Sequence, residues 1–422
     1  MKPLVHCLIW LFGFIVVMPG KAAEFDRAAS ATNQLAIDLH RRLASGGGNL
    51  CLSPYSIQSA LAMTFAGTEG ETKTEMARVL HFQSSNEKIH ASFAALQRGL
   101  AELAKNSAAM AEEAKKNGGS GEPITIAIAN RLFAQSGYEF RTAFRDLMKR
   151  FYGAPFEEMD FATAPDRERQ RINKWVADQT RERIRDLIPS GRINESTRLV
   201  LANAIYLKAP WADTFTESAT KPAPFHLRGA AAVDVPMMRK EDRGFGYLKG
   251  DGFTAVSIPY SGSELQFVVL LPDKINGLPQ LESKLTAEML MRCAKLEPRD
   301  VDLSLPKFKF EPPTVALADA LETLGMKSAF DQPRGSANFD RIAPRKSNDY
   351  LYLSNVFHKT FIAVDEKGTE AAAATAAVMM QATAIMKPTP PIEVKVDRPF
   401  LYAIQHLPSG ACLFLGRVTD PR

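Results

Sequence analysis

Cysteine is scarce in this chain of 422 residues, with four in all, at Cys7, Cys51, Cys293 and Cys412. Spaced so widely, they make neither a disulfide framework nor a metal knuckle, so stability has to come from packing. Cys51 in Asn-Leu-Cys-Leu and Cys412 in Ala-Cys-Leu-Phe-Leu read as small buried apolar residues. Among the histidines (His6, His40, His81, His90, His226, His358 and His406) no two stand three to five residues apart, so a helical or hairpin metal pair is missing. There is no Gly-x-Ser-x-Gly elbow for a nucleophilic serine and no phosphate-binding Gly-x4-Gly-Lys loop. Gly244-Phe245-Gly246 opens like a dinucleotide turn, but the third glycine falls one place late, at Gly250. The residues before it, Arg239 to Arg243, are all charged and form no strand, so it reads as a plain turn. Charge of one sign is lacking too. With 52 Lys plus Arg against 47 Asp plus Glu, the excess of +5 gives no electrostatic case for nucleic acid as the main partner. The expectation is a non-enzyme that holds no metal and no cofactor.

What is present is an ordinary packed composition, 45% hydrophobic and 23% charged, in a chain long enough to bury a large core without cross-links. Length alone allows two or three domains. Residues 1–22 carry the order of a secretory leader. Lys2 is basic, residues 4–18 are apolar, and Pro19-Gly20 leads to the small residues Ala22 and Ala23, with a cut expected after Ala22. The apolar run is 15 residues long and contains His6, short of the ~20 that span a bilayer. The mature chain, residues 23–422, is therefore expected outside the cytoplasm, without stable membrane association.

Leu35, Leu39 and Leu43 recur at helical spacing and stop at Ser45-Gly46-Gly47-Gly48. Ser53-Pro54 opens an alanine-rich apolar segment to Phe65, and residues 87–105 read as an amphipathic helix. Residues 108–122, with Lys115, Lys116 and Gly118-Gly119-Ser120-Gly121, read as a flexible surface insertion. Residues 124–129, 199–207 and 266–271 carry strand patterns, and residues 172–188 a helix closed by Pro189. Helix and strand interleave without a regular βαβ beat, which points to a mixed α+β chain. No repeat and no linker of different composition divides it.

One tract stands apart: Val364-Asp365-Glu366-Lys367-Gly368-Thr369-Glu370-Ala371-Ala372-Ala373-Ala374-Thr375-Ala376-Ala377. Propensity alone makes its alanines a helix. Yet the run follows the strand-like segment 356–364, leads into Met-rich and then Pro-rich sequence, and is broken by Glu366-Lys367-Gly368. Read as a strand, it points Thr369, Ala371, Ala373, Thr375 and Ala377 to one face. All five are small and uncharged, so that face can enter a packed core. Glu370 falls on the opposite, solvent-facing side.

The hinge Glu366-Lys367-Gly368-Thr369-Glu370 with its alanine tract resembles that of inhibitory serpins. Val394-Lys395-Val396-Asp397-Arg398-Pro399-Phe400-Leu401-Tyr402 is similar to the C-terminal signature of that family. So are Asn49-Leu50-Cys51-Leu52-Ser53-Pro54-Tyr55-Ser56-Ile57 and Leu201-Ala202-Asn203-Ala204-Ile205-Tyr206-Leu207-Lys208 with Trp211 and Phe215. The resemblance covers roughly residues 25–420. It implies a single domain of three β-sheets surrounded by helices, with an exposed reactive loop near the C-terminus, the hinge and loop together spanning residues 366–393. It also implies a monomeric suicide-substrate inhibitor of serine proteases. The cleaved loop would enter the main sheet as a new strand and trap the acyl-enzyme. A non-inhibitory serpin serving as carrier or chaperone is the alternative, which proline or charge on the alternate hinge face would favour; neither is there.

Counting as the family does puts the reactive bond between Ala382 and Thr383, with Met379 and Met380 as fallback bait residues. The small Ala382 suggests elastase-like or subtilisin-like targets, and no Arg or Lys occurs from Gly368 to Met386. The segment after the cut, with Pro388, Pro390 and Pro391, is longer than the family's usual one. By resemblance, Ser53, Ser56, Asn203 and His358 form a shutter that parts for the entering strand. Trp211 marks the breach where entry begins, and Lys307 is the partner of Glu366. Asn194-Glu195-Ser196 is a glycosylation acceptor where the source can glycosylate.

Overall fold

The computed structural model describes residues 19–116, 121–229, 232–347, 349–370 and 390–422, with side chains described from Arg27 onward except at 129, 130 and 203. Among these residues the helices are α1 (Pro19–Leu43), α2 (Pro54–Phe65), α3 (Gly70–Val79), α4 (Asn86–Lys116), α5 (Thr142–Tyr152), α6 (Pro165–Gln179), α7 (Leu278–Lys284), α8 (Ala287–Cys293) and α9 (Ala318–Thr323). The strands are β1 (Leu50–Leu52), β2 (Thr125–Gln135), β3 (Phe156–Met159), β4 (Leu199–Pro210), β5 (Lys221–His226), β6 (Ala232–Lys249), β7 (Phe253–Pro259), β8 (Leu265–Pro272), β9 (Glu297–Pro306), β10 (Phe308–Phe310), β11 (Val315–Ala316), β12 (Phe357–His358), β13 (Ile362–Asp365), β14 (Gly368–Thr369), β15 (Ile392–Lys395), β16 (Phe400–His406) and β17 (Ala411–Val418).

They build three sheets: nine strands in the order β1-β17-β16-β8-β7-β6-β9-β15 with β5 on β6, six in the order β10-β13-β14-β4-β2-β3, and the pair β11-β12. Strand alternation sorts the core. On β8, Leu265, Phe267, Val269 and Leu271 join the main cluster shared with the six-stranded sheet, while Val268 and Leu270 face α7 and α8. On β4, Ile205, Leu207 and Ala209 face the main cluster, whereas Ala202 and Ala204 lie under α6 with Ile172 and Val176. The six-stranded sheet thus has one face on the nine-stranded sheet and the other beneath α6. Cys51, Cys293 and Cys412 are free and buried.

Four local expectations are corrected. The charged run Arg239 to Arg243, read as outside any strand, and the turn expected at Gly244-Phe245-Gly246 lie within β6, where pairing with β9 slips between Asp242 and Phe245. The flexible segment expected from residue 108 is helical to Lys116, because α4 continues there. Alanine and methionine sustain the helix, and Leu100, Leu103, Ser107 and Ala111 extend one buried stripe at a spacing of three to four. The helix expected over 172–188 is α6, which starts at Pro165 and ends at Gln179. Beyond it Arg181, Glu182 and Asp186 take positive φ, and Ile184, Leu187 and Ile188 bury from irregular chain. The strand-like segment 356–364 is two short strands, β12 and β13. The expected leader cut after Ala22 falls within α1; residues 1–18 lie outside the described residues.

Candidate functional site: the hinge and the cleft beside β4

Gly368 and Thr369 form β14, which stands between β13 and β4. It pairs Val364 with Thr369 on one side and Ala209 with Thr369 on the other. Glycine is required at 368, where φ is +153° and a Cβ would lie 2.2 Å from the Ala209 carbonyl oxygen. Thr369 is 3% exposed, shares the inward face of Ala209 and Val364, and makes a hydrogen bond between its hydroxyl and that of Tyr260. Tyr260 stacks flat on Trp211, 4.7 Å between ring centres.

Trp211 also fixes the turn before β14. Its Nε1 donates to the Asp365 carbonyl at 2.9 Å and its backbone N–H to the Lys367 carbonyl at 2.9 Å. Asp365 Oδ1 accepts from the N–H groups of Lys367 and Gly368, while burial raises its pKa. Glu366 is 7% exposed. Its carboxylate accepts from Lys307 Nζ at 2.7 Å and from the Thr220 hydroxyl at 2.8 Å. Burial pushes this carboxyl upward, but those hydrogen bonds outweigh it and leave its pKa below the usual range. Glu366 and Lys307 therefore form a charge-assisted peg beside the turn.

Glu370 departs from expectation. It does lie on the face opposite Thr369, but its side chain is only 11% exposed and is ion-paired with Arg183. The chain after α6 covers that face, which a strand pattern read locally does not show. The alternate residues Ala371, Ala373, Thr375 and Ala377 lie outside the described residues, as do Ala372, Ala374, Met379, Met380, Ala382 and Thr383.

Below Ala209, among the described residues, no ladder joins β4 to β13 or β12. A cavity of about 110 Å³ lies there, lined by Leu199 and Ala202 of β4, by Asn355 and His358, and by Ser56 and Ala60 of α2. Ser53 caps α2 by accepting from the Ser56 N–H, with Pro54 in the first helical position. Ser53 also donates its hydroxyl to the Leu413 carbonyl, and its N–H to His358 Nε2 at 3.0 Å. Because Nε2 accepts there, His358 is neutral with its proton on Nδ1. The structure thus brings Ser53, Ser56 and His358 to one end of the cleft and Trp211 and Lys307 to the other. Asn203 is on β4, its backbone opposite Asn130. Sequence reading missed Tyr260 and Thr220, which come from other elements and carry no local signal.

Burial lowers the pKa of His358, His90 and His406 to about 4 from the ordinary 6.5. The unfolded chain binds these protons at higher pH than the folded one. Stability is therefore greatest above about 6.5 and falls as pH drops toward about 4. The thermal midpoint is expected to decline across that window, and less steeply in His358→Asn. An identical slope in that variant would remove His358 from the titration.

The sequence pattern of the family described as Serpin (serine protease inhibitor) matches residues 30–421. The chain is 37% identical over 406 residues to the leukocyte elastase inhibitor of Bos taurus, and 36% identical over 406 residues to that of Homo sapiens. Each comparison covers 94% of this chain and 100% of the relative. A solved structure titled Cleaved Serpin 42Da superposes with a TM-score of 0.77 at 30% identity, covering 95% of this chain and 100% of that one.

Proposed function

Since the chain belongs to the serpin family of serine protease inhibitors, we propose that it is a suicide-substrate inhibitor that traps its protease by threading the cleaved loop alongside β4. The serine of the protease attacks the Ala382 carbonyl, and the bond to Thr383 breaks. The new Thr383 amine leaves with a proton from the protease histidine, and Ala382 remains as an ester on the serine. Water would normally release it. Here the freed segment enters the sheet and drags the tethered protease along. From Thr369 to Ala382 it spans about 46 Å at ~3.3 Å per residue, and a distorted protease no longer hydrolyses the ester.

The observation that carries this reading is the seated start of the strand, β14. Extending its register past Thr369 brings Ala371 opposite Leu207, Ala373 opposite Ile205, and Thr375 between Asn203 and His358. Leu207 and Ile205 are core-facing residues of β4, so the small alternate residues would enter the core with no charge among them. The serine hydroxyls and the imidazole at the cleft would then be where Thr375 arrives. Before cleavage the protein would be metastable, with an insertion site waiting beside β4.

The small Ala382 favours elastase-like or subtilisin-like proteases, and the two leukocyte elastase inhibitors named above agree with the first. Pancreatic elastase and subtilisin are expected to lose activity at close to one inhibitor per protease, and trypsin to keep it. Cleavage of the loop by both with no loss of activity would sink the proposal. Residues 1–22 support export, with the mature protein acting as a monomer outside the cytoplasm. N-terminal sequencing of the protein from its source should begin at Ala23; a chain beginning at Met1 contradicts export by this leader.

A further inference from the structure

Residues 180–188, between α6 and the approach to β4, lie across the outer face of the six-stranded sheet beside the point where β14 stops. They are firmly held. Asn173 bonds both the N–H and the carbonyl of Ile188, and Lys359 donates to the Arg185 carbonyl at 2.8 Å. From this anchored strap the guanidinium of Arg183 reaches over the Phe361 ring, 5.1 Å from its centre, and its Nε donates to the Glu370 carboxylate. Arg181 lies over Tyr206, which borders the same carboxylate.

Glu370 is also where the strand ends. Its N–H still donates to the Ala363 carbonyl at 2.8 Å, as a continuing ladder requires, yet its φ is +50°, in the left-handed region. A residue other than glycine is held there only when its surroundings demand it. For β14 to lengthen, Glu370 has to become extended and lie opposite Lys208 in register, and the carboxylate has to leave its present position against Arg183.

We propose that Arg183 is a positioning residue for protease trapping, whose ion pair with Glu370 parks the hinge after two seated residues and has to open before the rest of the strand can enter. The Thr369–Tyr260 hydrogen bond holds the inner side of the seated hinge and the Arg183–Glu370 pair the outer side. The first keeps the strand nucleus in place, and the second keeps it from lengthening early. This rests on the insertion mechanism proposed above. The clasp is written in no local motif, since Arg183 and Glu370 stand 187 residues apart.

The test follows insertion itself. The full chain is nicked in its loop by an excess of a metalloprotease, which forms no acyl-enzyme and so is not trapped, fast enough that cleavage does not limit the rate. The first-order change in tryptophan fluorescence is recorded, Trp211 lying against the hinge. Arg183→Gln and Glu370→Gln are each expected to speed this change by about fivefold, the scale of a partly exposed ion pair. The double variant should be no faster than either single one, because both remove the same interaction, and Arg183→Lys should be slower than Arg183→Gln. Wild-type rates in both single variants, or a double variant as fast as the product of the two, overturns the clasp. A nicked wild-type protein with no fluorescence change and no gain in heat stability would instead overturn the insertion mechanism.

Discussion

Thr369→Arg is expected to convert the inhibitor into a substrate. Thr369 is enclosed between Ala209 and Val364, with its hydroxyl on Tyr260 and Tyr260 stacked on Trp211. The nearest groups on that face are aromatic or aliphatic, so a guanidinium has no counter-ion there. An uncompensated charge in such a place costs about 3–5 kcal/mol, and the strand cannot begin to seat without it. Hydrolysis of the acyl ester takes place on the protease and is untouched by the substitution. The race between insertion and hydrolysis should therefore shift by a factor on the order of 10² to 10⁴. In an elastase titration, Thr369→Arg should be cleaved at the normal rate, consumed many times over, and leave the protease active. Thr369→Ser, which keeps the hydroxyl, should retain nearly normal stoichiometry. Equal stoichiometry for Thr369→Arg and the wild type would mean that the hinge does not enter beside Ala209.

Cleaving the loop should raise the thermal midpoint by roughly 15–20 °C. Among the described residues the twelve of β4 meet two of β14 on this side, so inserting residues 370–382 supplies a partner for the remaining edge. At about 1 kcal/mol net for each ladder hydrogen bond, 13 further residues contribute about 13 kcal/mol. For roughly 400 residues, at ~2.1 cal/mol/K each, 1 kcal/mol moves the midpoint by about 1.2 °C. Apolar burial of the alanines adds to that. Calorimetry on intact and loop-cleaved protein reads it directly, and coincident transitions would leave no place for a stored insertion step.

The start of the hinge was legible because the break Glu366-Lys367-Gly368 is written along the chain between an apolar run and an alanine tract, and Thr369 takes the inward face beside Ala209 that a period of two gives it. The apolar segment opened by Ser53-Pro54 and the buried run of β8 were legible because they too are written in consecutive residues. Where tertiary contacts decide, sequence was blind. The stripe that keeps α4 helical to Lys116 looked like a loop, because its composition is rich in charge and ends in glycine. The strap after α6 kept a helical pattern of apolar residues but buries them from irregular chain. Lys307 and Glu366 are 59 residues apart in sequence and 2.7 Å apart in space. The family resemblance paired them, and nothing local does. Tyr260, Thr220 and Arg183 each reach the hinge from elements that share no motif with it. Glu370 shows the limit most plainly: the period of two assigns it the correct face, but only the fold reveals that Arg183 lies across that face.

The most direct measurement is the mass, under denaturing conditions, of the species formed when the protein meets pancreatic elastase. A covalent adduct is expected, equal to the protease plus the chain up to Ala382 and joined through an ester, with the fragment beginning at Thr383 released on denaturation. Free protease, together with a chain cut at that bond and no adduct at any time point, contradicts trapping by strand insertion.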